Sequence, residues 1–81
     1  MARVSGKADE DGRLQLLGQA IRARRKALNV TQEALADAAG IERAHVGKIE
    51  RGTRNVTALN LLRIATALDC KLSDMLAAAG L

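Results

Sequence analysis

The chain has 81 residues, 13 of them Lys or Arg and 9 Asp or Glu, for a formal net charge of +4, and this length allows one small domain. One cysteine and one histidine exclude an intramolecular disulfide, a cysteine-based zinc site and a paired-histidine metal site, and leave acid–base catalysis without its usual partners. No Phe, Tyr or Trp is present to stack on single-stranded bases, no apolar run approaches the ~20 residues of a membrane span, and the start MARVSGKADEDG lacks the apolar stretch of a signal peptide, so a cytoplasmic protein is expected.

Sixteen alanines, twelve leucines and no proline predict an all-α chain with an aliphatic core. A domain so small is marginal alone, and dimerisation is a natural supplement. Residues 1–13 balance Arg3, Lys7 and Arg13 against Asp9, Glu10 and Asp11, so the whole positive balance sits on the remainder. They show no apolar periodicity, and residues 1–12 are expected to be a flexible tail ahead of a domain over 13–81. Leu14, Leu17, Ile21 and Leu28 share one helical face, which predicts a first helix over about 13–27, stopped at Asn29. Thr31 is a good N-cap for a second helix over about 32–38 that buries Leu35, Ala36 and Ala39, with Glu33 near its positive end and Gly40 ending it.

A third helix fits residues 42–51, with Val46 and Ile49 inward and Arg43, Ala44, Gly47, Lys48 and Arg51 outward, and Gly52 as its stop. A glycine inside a helix costs about 1 kcal/mol, so Gly47 is either a place of close backbone approach or a tolerated defect. Residues 53–56 read as a loop. Thr57 caps a fourth helix over about 58–68 that buries Leu61, Ile64, Ala65 and Leu68, and Ser73 caps a short fifth helix near 74–79 with Met75 and Leu76. Cys70, alone in the turn between them, reads as a small buried residue rather than a redox sensor.

Two short helices joined at a glycine turn, the second with outward basic residues, form a helix-turn-helix. An α-helix fits the major groove of duplex DNA, and the first helix of such a pair braces it across the backbone. The basic balance suits that partner. From Leu17 to Leu76 the chain resembles the phage repressor/Cro-type, XRE-like helix-turn-helix family. The resemblance lies in Leu17-Gly18, Ile21-Arg22 and Arg25, then Thr31-Gln32-Glu33-Ala34-Leu35-Ala36, Gly40-Ile41, Val46, Ile49-Glu50-Arg51-Gly52 and Arg54-Asn55. It continues through Ile64-Ala65, Ala67-Leu68 and Leu72-Ser73-Asp74. The stretch Arg54-Asn55-Val56-Thr57 with Leu59-Asn60 is also similar to the small controller proteins of restriction–modification systems.

The resemblance implies a five-helix repressor-type domain, a homodimer, double-stranded DNA as partner and an inverted-repeat operator. It places Arg43, Ala44 and Lys48 at base edges. It gives Gln32 a DNA phosphate and the bracing of the recognition helix, and it puts Thr31, Arg51, Arg54 and Asn55 on the DNA backbone. Arg25 and Glu50 match a buried ion pair tying helix 1 to helix 3. Glu33 and Asp37, four apart on helix 2, match acidic positions that contact RNA polymerase in some phage repressors; helix-dipole complementarity is the plainer account. His45, on the recognition helix, either touches DNA, at phosphate or at bases, or sits at the rim of the interface. The cluster Arg22-Ala23-Arg24-Arg25-Lys26 is either a phosphate-binding patch or, for most of it, solvated charge with Arg25 turned to Glu50. Three positions depart from the family pattern. Glu42 stands where Ser or Thr usually caps helix 3, Val56 replaces a common proline, and Leu59 is apolar where a charge is usual. Leu59 is therefore read as a dimer contact rather than core; the dimer surface is expected on helices 4 and 5, through Leu59, Leu62 and Met75, with Leu81 if the chain end is ordered.

Regulation of transcription by such a dimer needs no cofactor and no small-molecule ligand, and none is expected. An enzyme lacks paired catalytic groups here. The competing class is an antitoxin-like interaction protein whose main partner is a toxin, with DNA binding for autoregulation.

Overall fold

The computed structural model describes Asp9 and residues 11–81. Among these are five helices and no strand: α1 (Arg13–Ala27), α2 (Gln32–Ala39), α3 (Arg43–Arg51), α4 (Ala58–Ala67) and α5 (Leu72–Ala78). The expected tail over residues 1–12 lies largely outside the described residues. Within its described part, the Asp9 carboxylate accepts from the amides of Arg13 (2.9 Å) and Leu14 (2.8 Å). That carboxylate partners two of the amides a helix start leaves open and adds negative charge at its positive end.

The helix stops follow local chemistry. Asn29 takes the left-handed conformation (φ 57°), and the amide of Val30 reaches back to the Arg25 carbonyl at 3.0 Å, a Schellman closure of α1. The same closure ends α4: Asp69 has φ 53° and the Cys70 amide reaches the Ala65 carbonyl at 3.0 Å. Arg24 reinforces that end from α1, donating Nε to the Leu68 carbonyl (3.1 Å) and Nη2 to that of Asp69 (3.2 Å). One member of the basic cluster on α1 is thus a C-terminal cap for another helix.

Leu17, Ile21, Leu35, Ala36, Ala39, Val46, Ile49, Ile64, Ala65, Leu68 and Met75 form one buried core. α1 packs on α3 and α5, α2 packs on α3 and α4, and α4 packs on α5. The α2–α3 pair is therefore held from behind by α1 and α4, which leaves its other side to solvent. No helix among the described residues is long and apolar enough to cross a membrane.

Three expectations need correction. α5 begins at Leu72, after Lys71, and Ser73 lies inside its first turn rather than capping it. Burial decides this register: half-buried Leu72 packs on the core together with Met75 and Leu76, at helical spacing, and this outweighs a cap worth about 1 kcal/mol. Leu28 is 41% exposed, because the chain turns away at Asn29 before that residue reaches the core. Met75 is 3% exposed; it fills the core between α1 and α4 and has almost no surface to offer a second copy.

Candidate nucleic-acid interface

Thr31 caps α2 as its side-chain Oγ1 accepts from the Ala34 amide at 3.0 Å. Gly40 then turns the chain with φ 70°, a left-handed conformation that L side chains rarely adopt. Glu42 occupies the cap position of α3 with no side-chain hydrogen bond; its carbonyl accepts from the amides of His45 (3.0 Å) and Val46 (3.1 Å). Val46 and Ile49 bury themselves in the core, and that burial fixes the roll of α3. Arg43, Ala44, Lys48 and Arg51 are consequently exposed on its far side and His45 is half-buried. Thr31, Arg54 and Asn55 are exposed, and Gln32, on α2, is half-buried with its carboxamide on Glu50 of α3.

A buried polar network locks the face in place. Arg25 donates Nε to Glu50 Oε2 at 2.7 Å and Nη2 to Glu50 Oε1 at 2.9 Å, and its Nη1 reaches the Val30 carbonyl at 2.9 Å. Gln32 Nε2 donates to Glu50 Oε1 at 3.1 Å. Arg25 is 8% exposed and Glu50 5%. Burial pushes the Glu50 carboxyl up; the hydrogen bonds from Arg25 and Gln32, with the charges of Arg25 and Arg22, outweigh it and hold the group below the ordinary glutamate value. The hydrogen bond to Glu50 raises Arg25 against the opposing effect of burial. Bidentate geometry of this kind fixes orientation as well as charge. One residue on each of α1, α2 and α3 therefore meets at a single carboxylate.

Gly18 makes this approach possible, and sequence reasoning gave it no role. A Cβ there would run into the backbone carbonyl oxygens of Ile49 and Glu50, so only glycine lets α1 touch the end of α3 this closely. The available signal was a glycine amid the leucines and alanines of α1. Gly47 also differs from expectation. It is buried rather than outward, lying under side chains of the protein itself.

The other expected positions fall outside this face. Glu33 and Asp37 are exposed on α2. Leu59, Leu62 and Leu81 are 57%, 51% and 48% exposed, the first two three residues apart on one face of α4. Cys70 is half-buried beside a cavity of about 340 Å³ lined by Ala20, Arg24, Asp74 and Met75. Among the described residues no group of three or more His, Cys, Asp or Glu could hold a metal ion.

Comparison with known proteins places this geometry. Control protein C.SmaI from Serratia marcescens is 36% identical over 67 residues, covering 83% of this chain and 80% of the relative. Repressor protein C2 of Salmonella phage P22 is 39% identical over 56 residues, covering 69% of this chain and 26% of the repressor. The crystal structure of the restriction-modification controller protein C.AhdI from Aeromonas hydrophila aligns with a TM-score of 0.75 at 44% identity, over 76% of this chain and 94% of that one. These relatives are named as control proteins and a repressor, not as enzymes. The helix-turn-helix family profile matches residues 21–75, from Ile21 in the middle of α1 to Met75 in α5, both in the core, and the chain belongs to the XRE-like helix-turn-helix family of DNA-binding transcription regulators.

Proposed function

We propose that the chain is a sequence-specific regulator that binds an inverted-repeat operator as a homodimer and reads each half-site with α3 in the major groove. The observation that carries this reading is the exposed Arg43, Ala44 and Lys48 on a helix whose rear is fixed by the buried Arg25–Glu50–Gln32 network. Arg43 and Lys48 suit guanine O6 and N7, and Ala44 leaves room for the backbone to approach and a methyl to meet thymine. Thr31, Gln32, Arg51, Arg54 and Asn55, with His45, take the DNA backbone. One helix reads only a few base pairs, and two copies related by a two-fold axis read half-sites about 34 Å apart. Leu59, Leu62 and Leu81 supply the surface between the copies. The chain is 44% identical to C.AhdI and 36% identical to C.SmaI, which supports a restriction–modification controller. Such a protein works in the cytoplasm. Glu33 and Asp37, exposed on α2, complement the helix dipole; substituting both and assaying activation and operator binding separately tests the alternative of a polymerase contact.

Selection from a randomised duplex library at fixed, near-physiological salt tests this. An enriched inverted repeat with guanines in each half-site is the expected result. Strong, salt-sensitive retention without sequence enrichment overturns base reading, and no retention of any duplex overturns DNA binding.

A further inference from the structure

Glu42 is the acidic residue at the start of α3, and its carboxylate has no work to do inside the protein. It holds the cap position with extended backbone (φ −67°, ψ 141°), yet its side chain accepts no amide of the first turn. It is exposed, as are the next two residues, Arg43 and Ala44. The ion pairs among the described residues are Arg13–Asp11 and Arg25–Glu50, so the adjacent Arg43 does not neutralise it. Toward DNA as such, this charge is a handicap. A helix in the major groove lies between two rows of phosphates, and a carboxylate there weakens binding to every sequence. Ser or Thr would cap the helix without that repulsion.

We propose that Glu42 is a specificity-determining residue: its uncommitted carboxylate accepts a hydrogen bond from the N4 amino group of a cytosine in each half-site. The proposal rests on the DNA-binding reading above and adds an acidic reader to the basic ones. The first residues of a recognition helix are those that reach base edges. A carboxylate only accepts hydrogen bonds, so it gains a partner only where a base edge offers a donor. Cytosine presents N4–H2 in the major groove; adenine also has an amino group, but its acceptor N7 lies beside it and suits a carboxamide rather than a carboxylate. Guanine presents two acceptors there, which repel Glu42 and attract Arg43. The opposite charges at the start of α3 therefore select opposite edges. Specificity is a difference of affinities, and a group that weakens binding to wrong duplexes supplies it as well as one that strengthens binding to the right one.

The test repeats the duplex selection with wild type, Glu42→Ala and Glu42→Gln, and then titrates each protein on the wild-type duplex, on that duplex with the cytosine replaced, and on a mixed-sequence duplex at one salt concentration, with thermal melting alongside. Wild type is expected to demand cytosine at one position of each half-site and to lose about tenfold in affinity when it is replaced, within the range of a specific base contact. Glu42→Ala should lose that preference alone, keep the guanine positions, and bind the mixed-sequence duplex more tightly than wild type. Glu42→Gln should move the preferred base at the same position toward adenine, whose N6 and N7 match a carboxamide. A Glu42→Ala variant that binds every duplex more tightly with unchanged base preferences shows a charge effect only and overturns the proposal. So does one that weakens every duplex equally, which is the mark of a helix-start role, or a wild-type selection with no cytosine position that the variants relax. If Glu42→Ala does not fold, the isosteric Glu42→Gln decides alone. A wild-type chain that retains no duplex overturns the DNA reading itself, and is recognised before any variant is compared.

Discussion

Glu50 is the residue on which the interface depends most. Its carboxylate is almost wholly buried and accepts from Arg25 and Gln32, and removing one partner of a buried pair leaves an uncompensated charge. Glu50→Ala should lower stability by about 3–5 kcal/mol, a drop of at least 12 °C in melting temperature at about 4 °C per kcal/mol for a domain of this size. The pair has a pH signature as well. The folded-state value of Glu50 lies below the unfolded one, so its contribution is fully present above the ordinary glutamate value of about 4.3 and is lost as pH falls through the depressed folded value. Glu50→Gln should lower the stability plateau near neutrality and flatten the acid limb, so that the two curves converge at low pH; parallel curves from urea titrations across that range would contradict it. At this scale the ion pair was legible only through family resemblance, since a Glu and an Arg 25 residues apart carry no local signal. The role of Gly18 was not legible, because it depends on which atoms another helix brings near, and periodicity holds no such information; at Gly47 helix propensity marked an anomaly without saying what covers it.

At the scale of the helices, most of the fold could be read from caps and stops. Thr31 and Thr57 accept from Ala34 and Asn60 amides at 3.0 and 3.1 Å, and Asn29 closes α1 in the left-handed region. The start of α5 was misread because a good capping residue, Ser73, competed with the burial of Leu72, and burial won. Glu42 gives α3 no side-chain cap, so the two helices of the binding unit start differently. Thr31→Ala should therefore cost about 1 kcal/mol, whereas Glu42→Ala should change stability by less than about 0.5 kcal/mol, as for a surface site with no lost bond. Urea denaturation at one fixed protein concentration checks both. A loss at Glu42 equal to that at Thr31 would mean that its charge at the helix start matters as much as a cap.

At the scale of the whole molecule, the question is what covers the outer face of α4. Isolated exposed leucines such as Leu16 and Leu28 are ordinary for a protein surface, but Leu59 and Leu62 sit on one helical face and both are more than half exposed. Sequence patterning marked these two and also marked Met75, because an apolar residue on a helix reads the same whether it fills the core or meets a second copy. Only the packing separates them. In the proposed homodimer, Leu59→Lys with Leu62→Lys sets two like charges against their counterparts across the two-fold axis. Neither side chain holds the monomer core together, so far-ultraviolet circular dichroism and melting at high dilution should change little. Sedimentation should then find a monomer at concentrations where the wild-type chain is dimeric. Affinity for the inverted repeat should fall by about 100-fold or more, the range expected when two linked binding events become independent, while affinity for a single half-site stays near wild type. Equal losses on both duplexes would place these leucines in the DNA-binding surface or the core instead, and an unchanged dimer would move the interface away from α4.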